Sequence, residues 1–299
     1  MIRRRVAGTL GAGLAIYGAT VGLPAHATGA GVATANLTTV APCQNVMFIG
    51  VRGSGETPSD GTDGMGEESS LAWDTYRTQV TGRAISAMSI DYPSAPVTAL
   101  ASPYTNAAFF RSIDTGVTKL EGVLADRSKV CPNERYVLSG KSQGAIVVHR
   151  AMVDMSAHPE EYGPRLMARI DGVIAIADPD RVADDSGSSY GTSSKGSDHY
   201  GLSIAAPWIA GNRFRPSTAT VDTYWTYPRR WHSVCNAGDA VCDFAVASSS
   251  PAAMLHGFDV HSYSYVTDPT PIRRAATAVA KQTLSNAGPT DLTVSDSPA

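Results

Sequence analysis

The chain has 299 residues, with 24 Lys and Arg against 27 Asp and Glu, a net charge of −3 and 43% hydrophobic residues. This mild, evenly spread acidity lacks the basic excess that nucleic-acid binding needs, so nucleic acid is excluded as a partner. Length and apolar content suffice for one large domain with its own core.

In chain order, Arg3, Arg4 and Arg5 precede an apolar run from Val6 to Leu23, and Ala25-His26-Ala27 is a small-x-small cleavage signal. This is the layout of a secretory signal peptide over 1–27, and it predicts a secreted protein. A membrane anchor is the rival reading. The run is short for one and carries Gly8, Gly11, Gly13, Gly18 and Gly22, and no later stretch is apolar for long enough to span a bilayer, so no stable membrane insertion is expected. Cleavage after Ala27 leaves 272 residues with 21 basic and 27 acidic side chains, a charge of −6.

Residues 28–42 are rich in Ala, Thr and Gly and read as a loose lead-in. NVMFIGV (45–51) is a buried strand ended by the glycine turn RGSGE (52–56). SLAWDTYRTQV (70–80) has helical spacing, and AISAMSIDYP (84–93) is a second strand. Over 106–127 a helical stripe runs through Phe109, Phe110, Ile113, Val117, Leu120, Val123 and Leu124. RYVLS (135–139) is a third strand, AIVVHRAMVDM (145–155) a helix and GVIAIAD (172–178) a fourth strand. Residues 183–220 are polar, rich in Gly and Ser, and read as a loop insertion. VDTYWTYPRRW (221–231) is the last strand, a helix at about 271–285 closes the domain, and 286–299 reads as a flexible tail. The layout is thus a signal peptide over 1–27, a single catalytic domain over 28–285 and a tail. Alternation of strand and helix predicts an α/β fold, a three-layer α/β/α sandwich around a central parallel sheet.

Cysteines stand at 43, 131, 235 and 242. An even count in an exported chain points to two disulfides, with three pairings possible. Cys235 and Cys242 would close a small loop. Cys43 and Cys131 each precede a strand-like run and could meet at one edge of the sheet. The pairing 43–131 and 235–242 is favoured over metal binding or free thiols: no C-x-x-C pair occurs and the histidines do not cluster with the cysteines, so no metal or cofactor is expected.

LSGKSQGA (138–145) supports two chemistries. Gly140-Lys141-Ser142 could end a phosphate loop, but that loop needs a glycine where Arg135 stands, and Tyr136, Val137 and Leu138 are β-prone. Gly140-Lys141-Ser142-Gln143-Gly144 is also G-x-S-x-G, with a strand before it and a helix after it, as a nucleophile elbow requires. Gly187-Ser188-Ser189-Tyr190-Gly191 repeats the pattern with polar loop on both sides and is a chance match. Ser142 is therefore the candidate nucleophile. It needs a histidine to take its proton and a carboxylate to orient that histidine, in the chain order Ser, acid, His. Asp239, inside CNAGDAVC, is the candidate acid, with Asp178 at the end of GVIAIAD as the alternative. His261 is the candidate base, preferred over His256, on a loop beyond the sheet; the remaining histidines, 149, 158, 199 and 232, read as surface or core residues. The oxyanion hole is expected from the N–H of Gln143 and from the RGSGE turn, where the Ser54 hydroxyl can add a donor.

Taken in order, Cys43 with VMFIGVRGSGE, Cys131 with YVLSGKSQGA, ADPD (177–180), CNAGDAVC (235–242) and HSYSY (261–265) resemble the cutinase family of secreted serine esterases. The resemblance implies a compact α/β-hydrolase-like sandwich without a large lid. It implies Ser142 as nucleophile, Asp239 as acid, His261 as base, Ser54 and Gln143 at the oxyanion hole, and disulfides 43–131 and 235–242. Lys141 departs from the pattern, since members usually carry an aromatic residue there. It reads either as a solvated rim lysine or as a cation that favours anionic substrates. The expected function is a secreted serine ester hydrolase, a monomer acting on an ester or lipid without cofactor. A cell-envelope acyltransferase with the same triad and a non-catalytic secreted binding module are the alternatives.

Overall fold

The computed structural model describes residues 42–286 apart from 103, 163, 183–186, 194–198, 206–227, 245–247 and 249. The signal-peptide, lead-in and tail segments expected at 1–27, 28–41 and 287–299 lie outside the described residues, as do most of the 183–220 insertion and the body of the expected 221–231 strand.

Among the described residues, six parallel strands form one sheet: β1 (Val46–Val51), β2 (Ile85–Ser89), β3 (Arg135–Lys141), β4 (Ile170–Ile176), β5 (Ser188–Tyr190) and β6 (Trp231–Val234), in the order β2-β1-β3-β4-β6-β5. The central strands are buried on both faces, which is why they read as unbroken apolar runs rather than alternating ones. Register runs from Val46↔Ile85 to Gly50↔Ser89 between β1 and β2, and from Val46↔Arg135 to Val51↔Gly140 between β1 and β3.

The two-residue period of the strands divides the core. Met47, Ile49, Val51 and Leu138 face α2 (Asn106–Val130) and α3 (Gln143–Ala157), whose Ile113, Leu120, Ile146 and Met152 are fully buried. Val46, Phe48, Val137 and Ile174 face the other way, against α1 (Glu67–Gln79) and the last helix, Thr270–Asn286, which contribute Trp73, Tyr76, Ala276 and Val279. Each such fully buried aliphatic or aromatic side chain contributes about 1.5–3 kcal/mol. The expected three layers are therefore present.

Among the described residues, the short helices α4 (Pro159–Tyr162), α5 (Pro164–Arg169) and α6 (Leu202–Ala205) precede α7 (Pro251–Thr267) and α8 (Thr270–Asn286). The reading of 183–220 as loop is corrected where it is described: Ser188–Tyr190 pair with His232–Val234 as the edge strand β5, and Leu202–Ala205 form α6. Ser189 sits in the middle of that strand, with no helix behind it. The last strand begins only at Trp231 and continues to Val234.

Cys43 bonds to Cys131 and Cys235 to Cys242. The first joins the starts of β1 and β3, neighbours at the middle of the sheet rather than at its edge. Arg135, the residue that broke the phosphate-loop pattern, opens β3 and holds the buried carboxylate of Asp171 on β4 through its Nε and a terminal guanidinium nitrogen, at 2.5–2.9 Å.

Sheet order also locates a crevice. The chain passes from β1 outward to β2, then crosses to β3 on the other side of β1. Such a reversal leaves a gap beyond the carboxyl ends of β1 and β3 where ligands bind in open α/β sheets. RGSGE follows β1 and Ser142 follows β3, so both lie at that point.

Candidate active site

Ser142 stands between β3 and α3 with φ 55° and ψ −115°, a region costly for a residue with a Cβ. Its N–H donates to the Ile176 carbonyl of β4 (2.9 Å) and its carbonyl accepts from Ile146 (3.1 Å), so strand and helix hold it from both sides. The flanking glycines are a steric requirement. A Cβ at Gly140 would lie 2.8 Å from the Ala145 nitrogen, and one at Gly144 would lie 2.6 Å from the Arg52 carbonyl oxygen and closer still to that of Val51. The first turn of α3 is thus pressed onto the ends of β1 and β3. Gly144→Ala is expected to lower stability by about 2–3 kcal/mol, read from urea unfolding midpoints, because backbone on both sides must give way.

Ser142 Oγ lies 3.0 Å from His261 Nε2, and His261 Nδ1 lies 3.1 and 3.2 Å from the two oxygens of Asp239. Asp239 is fully buried and accepts in addition from the Tyr265 hydroxyl (2.7 Å), Val241 N–H (2.6 Å) and Cys242 N–H (3.2 Å). Burial alone would raise its pKa. The facing His261, with its hydrogen bond, then Tyr265 and Val241, overcome that and hold the carboxyl below its ordinary range. An ionised Asp239 can only accept, so His261 carries its proton on Nδ1 and turns the Nε2 lone pair toward the Ser142 hydroxyl.

The structure therefore brings Ser142, His261 and Asp239 together and separates them from the alternatives. Asp178 is engaged by His149 of α3 at 2.6 Å. His256 is exposed on α7, five residues before His261 and on a different face of the helix. The remaining histidines have partners of their own: His158 with Asp154, His199 with Asp243 (2.7 Å) and His232 with the Tyr190 hydroxyl (3.2 Å). One expectation is corrected: His261 lies within helix α7, not on a loop. That places Tyr265 one turn further along the same face, where it reaches Asp239. Sequence reasoning gave Tyr265 no role, although the helix start is signalled by Ser250, whose hydroxyl caps Ala253 N–H (3.1 Å), and by Pro251 at the first turn.

Gln143 is the first residue of α3, so its N–H has no acceptor within the helix. Its side chain donates to the Ala95 carbonyl (3.0 Å) and accepts from the Ser112 hydroxyl (3.1 Å), while the Ser54 hydroxyl donates to the same Ala95 carbonyl (2.9 Å). The two oxyanion candidates are thus tied to one carbonyl, and Ser112 and Ala95 join the site unannounced by any motif.

Lys141 is also corrected. Its side chain is only 15% exposed and its ammonium lies 3.2 Å from Glu68 Oε1, a carboxylate 4% exposed. It is neither a solvated rim lysine nor a cation open to an anionic substrate.

Among the described residues no group of three or more His, Cys, Asp or Glu could hold a metal ion, and no helix is long and apolar enough to cross a membrane.

A cutinase of Kineococcus radiotolerans is 27% identical over 161 residues, 52% of this chain and 49% of that protein. Carboxylesterase Culp1 of Mycobacterium tuberculosis is 29% identical over 107 residues, 36% of this chain and 42% of that protein. The chain thus spans about half the length, or less, of these curated relatives. A solved cutinase-like protein from Cryptococcus sp. aligns with a TM-score of 0.51 at 19% identity, covering 80% of this chain and 94% of that one, a likeness of fold. The family model for Cutinase matches residues 42–282, a span that includes every element carrying Ser142, Asp239 and His261. The chain belongs to the cutinase family.

Proposed function

We infer that the protein is a secreted carboxylic-ester hydrolase working through Ser142, His261 and Asp239. The observation that carries this reading is the unbroken series of contacts at 3.0 and 3.1 Å, from a serine on a strained strand-to-helix turn to a buried, ionised aspartate. His261 Nε2 takes the hydroxyl proton as Ser142 Oγ attacks the ester carbonyl, and Asp239 holds the imidazolium that forms. The tetrahedral oxyanion is met by the Gln143 N–H at the positive end of α3 and by Ser54, whose hydroxyl turns from Ala95 toward the new charge. His261 then gives its proton to the leaving alcohol, and water, activated by the same imidazole, releases the acid from the acyl-enzyme.

Membership of the cutinase family and the names of the two relatives support an ester as substrate. Phe258, one turn before His261 on α7 and 51% exposed, is an apolar surface on the helix that carries the base and is read as contacting an acyl chain. Two disulfides fit an oxidising compartment and support the secreted reading.

A fluorophosphonate probe is expected to label the protein once, on the peptide holding Ser142, and to block hydrolysis of short p-nitrophenyl esters. Labelling elsewhere, or full hydrolysis after complete labelling, would remove Ser142 from the mechanism.

A further inference from the structure

The residue before the nucleophile belongs to a buried charge cluster under the loop that faces it. Lys141 closes β3, and its ammonium meets Glu68, the second residue of α1. Glu56 ends the RGSGE turn. One of its carboxylate oxygens accepts from Gly53 N–H and the other from Glu67 N–H (3.2 Å), so this one side chain ties the turn to the start of α1. A Cβ on Gly53 would stand 3.0 Å from Glu56 Oε2 and 3.1 Å from Lys141 Cδ, so the lysine stem, the Gly53 backbone and the Glu56 carboxylate are packed together.

The charged groups around Glu56 are few. Glu68 faces it from α1 and Lys141 from β3. Glu67 offers its N–H. Arg52 is spent on the carbonyls of Glu56, Ile90 and Tyr92 and lies 3.5 Å from Asp91. Burial and then Glu68 push the Glu56 pKa up, the Gly53 and Glu67 N–H groups and Lys141 oppose them, and the net position is above the ordinary carboxylate value. Protonation would turn one of its two acceptor oxygens into a hydroxyl and cost one of the two N–H bonds. Glu56 therefore ties both N–H groups at once only while ionised, and Lys141 is the cation that favours that state.

We propose that Lys141 is a positioning residue: its ammonium, paired with Glu68 beside Glu56, favours the carboxylate form of Glu56, and Glu56 holds the Gly53–Ser54 backbone where the oxyanion of the proposed ester hydrolysis forms. This rests on the reading of Ser142 as nucleophile. Lys141 touches no reacting atom and acts through Glu56.

Lys141→Met keeps the stem and removes the charge. It is expected to move the acid limb of kcat/KM to higher pH, because losing the cation lets burial and Glu68 raise Glu56 further. The loss falls on kcat rather than KM, severalfold at pH 6 and smaller at pH 8. Lys141→Arg restores the wild-type profile. In a Glu56→Gln background, Lys141→Met produces no further shift of the limb. Amide hydrogen exchange of Gly53, which needs no activity, should quicken in Lys141→Met at pH 6 and recover in Lys141→Arg. A Lys141→Met protein with a lowered Tm but an unmoved acid limb and unchanged Gly53 exchange would overturn the proposal. If the wild type neither hydrolyses esters nor takes the fluorophosphonate, the ester-hydrolase reading fails instead, and Gly53 exchange still decides whether Lys141 holds the turn.

Discussion

Replacing Ser142 with alanine is expected to lower kcat for a short p-nitrophenyl ester by about 10⁴- to 10⁶-fold while leaving the fold in place. The attacking oxygen is gone, and no neighbouring group replaces it, because the next hydroxyls, Ser54 and Ser112, are held by the Ala95 carbonyl and the Gln143 side chain. Thermal unfolding separates this chemical loss from the backbone cost of the turn. Alanine keeps a Cβ at φ 55°, so Ser142→Ala retains the strain, whereas Ser142→Gly relieves it. Both lack the hydroxyl and its bond to His261, so their difference reports the backbone alone. Glycine should gain about 1 kcal/mol over alanine, a rise of roughly 2–4 °C in Tm for a domain of this size. Equal Tm values for the two variants would show that the turn stores no strain. Substantial hydrolysis by either would show that Ser142 is not the nucleophile.

How much of this site was legible before the structure depended on how each element is buried. β1, β3 and β4 are sandwiched between helix layers, so their sequences are continuous apolar runs that could be read without a structure. The turn at Ser142 was legible because two glycines must flank it for steric reasons. Asp239 was legible through the disulfide that closes its loop. Helix α7 was not, because it buries only Gly257 and Tyr265 fully and so carries no apolar stripe of helical period. Missing the helix hid the one-turn relation between His261 and Tyr265. Strand β5 was hidden for the opposite reason: a three-residue polar edge strand has no pattern to show. Lys141 was misread because its partner Glu68 lies on α1, and nothing local announces a contact between distant elements. A lysine beside the nucleophile read as a solvated rim residue, whereas its charge meets Glu68 in the interior.

The second large effect is expected at Asp239, where asparagine and alanine should fail differently. Asp239 accepts from His261 Nδ1, Tyr265 hydroxyl, Val241 N–H and Cys242 N–H. In Asp239→Asn the amide oxygen keeps the Val241 and Cys242 bonds at the Oδ1 position, and the NH₂ takes the place of Oδ2, facing Tyr265 and His261. The tyrosine hydroxyl can reverse and accept. The NH₂ then competes with the Oδ1 acceptor, 3.1 Å from Nδ1, and wherever the imidazole accepts from it the ring proton moves to Nε2 and points a donor at Ser142. The fold survives and kcat should fall by about 10⁴-fold with little change in KM. Asp239→Ala leaves the Val241 and Cys242 N–H groups and the Tyr265 hydroxyl buried without an acceptor, at about 1–3 kcal/mol each, so it should lose stability as well as activity. The pH dependence gives the sign. Because the Asp239 carboxyl is held below its ordinary range, its ionised form stabilises the fold above the unfolded-state value, and that contribution is lost as pH falls through the folded-state one. The Tm gap between wild type and Asp239→Asn should therefore be full at neutral pH and close in acid. A gap that stayed constant from neutral pH into acid would mean that the buried carboxylate is not stabilised by His261 and Tyr265, and the orienting role assigned to Asp239 would fall with it.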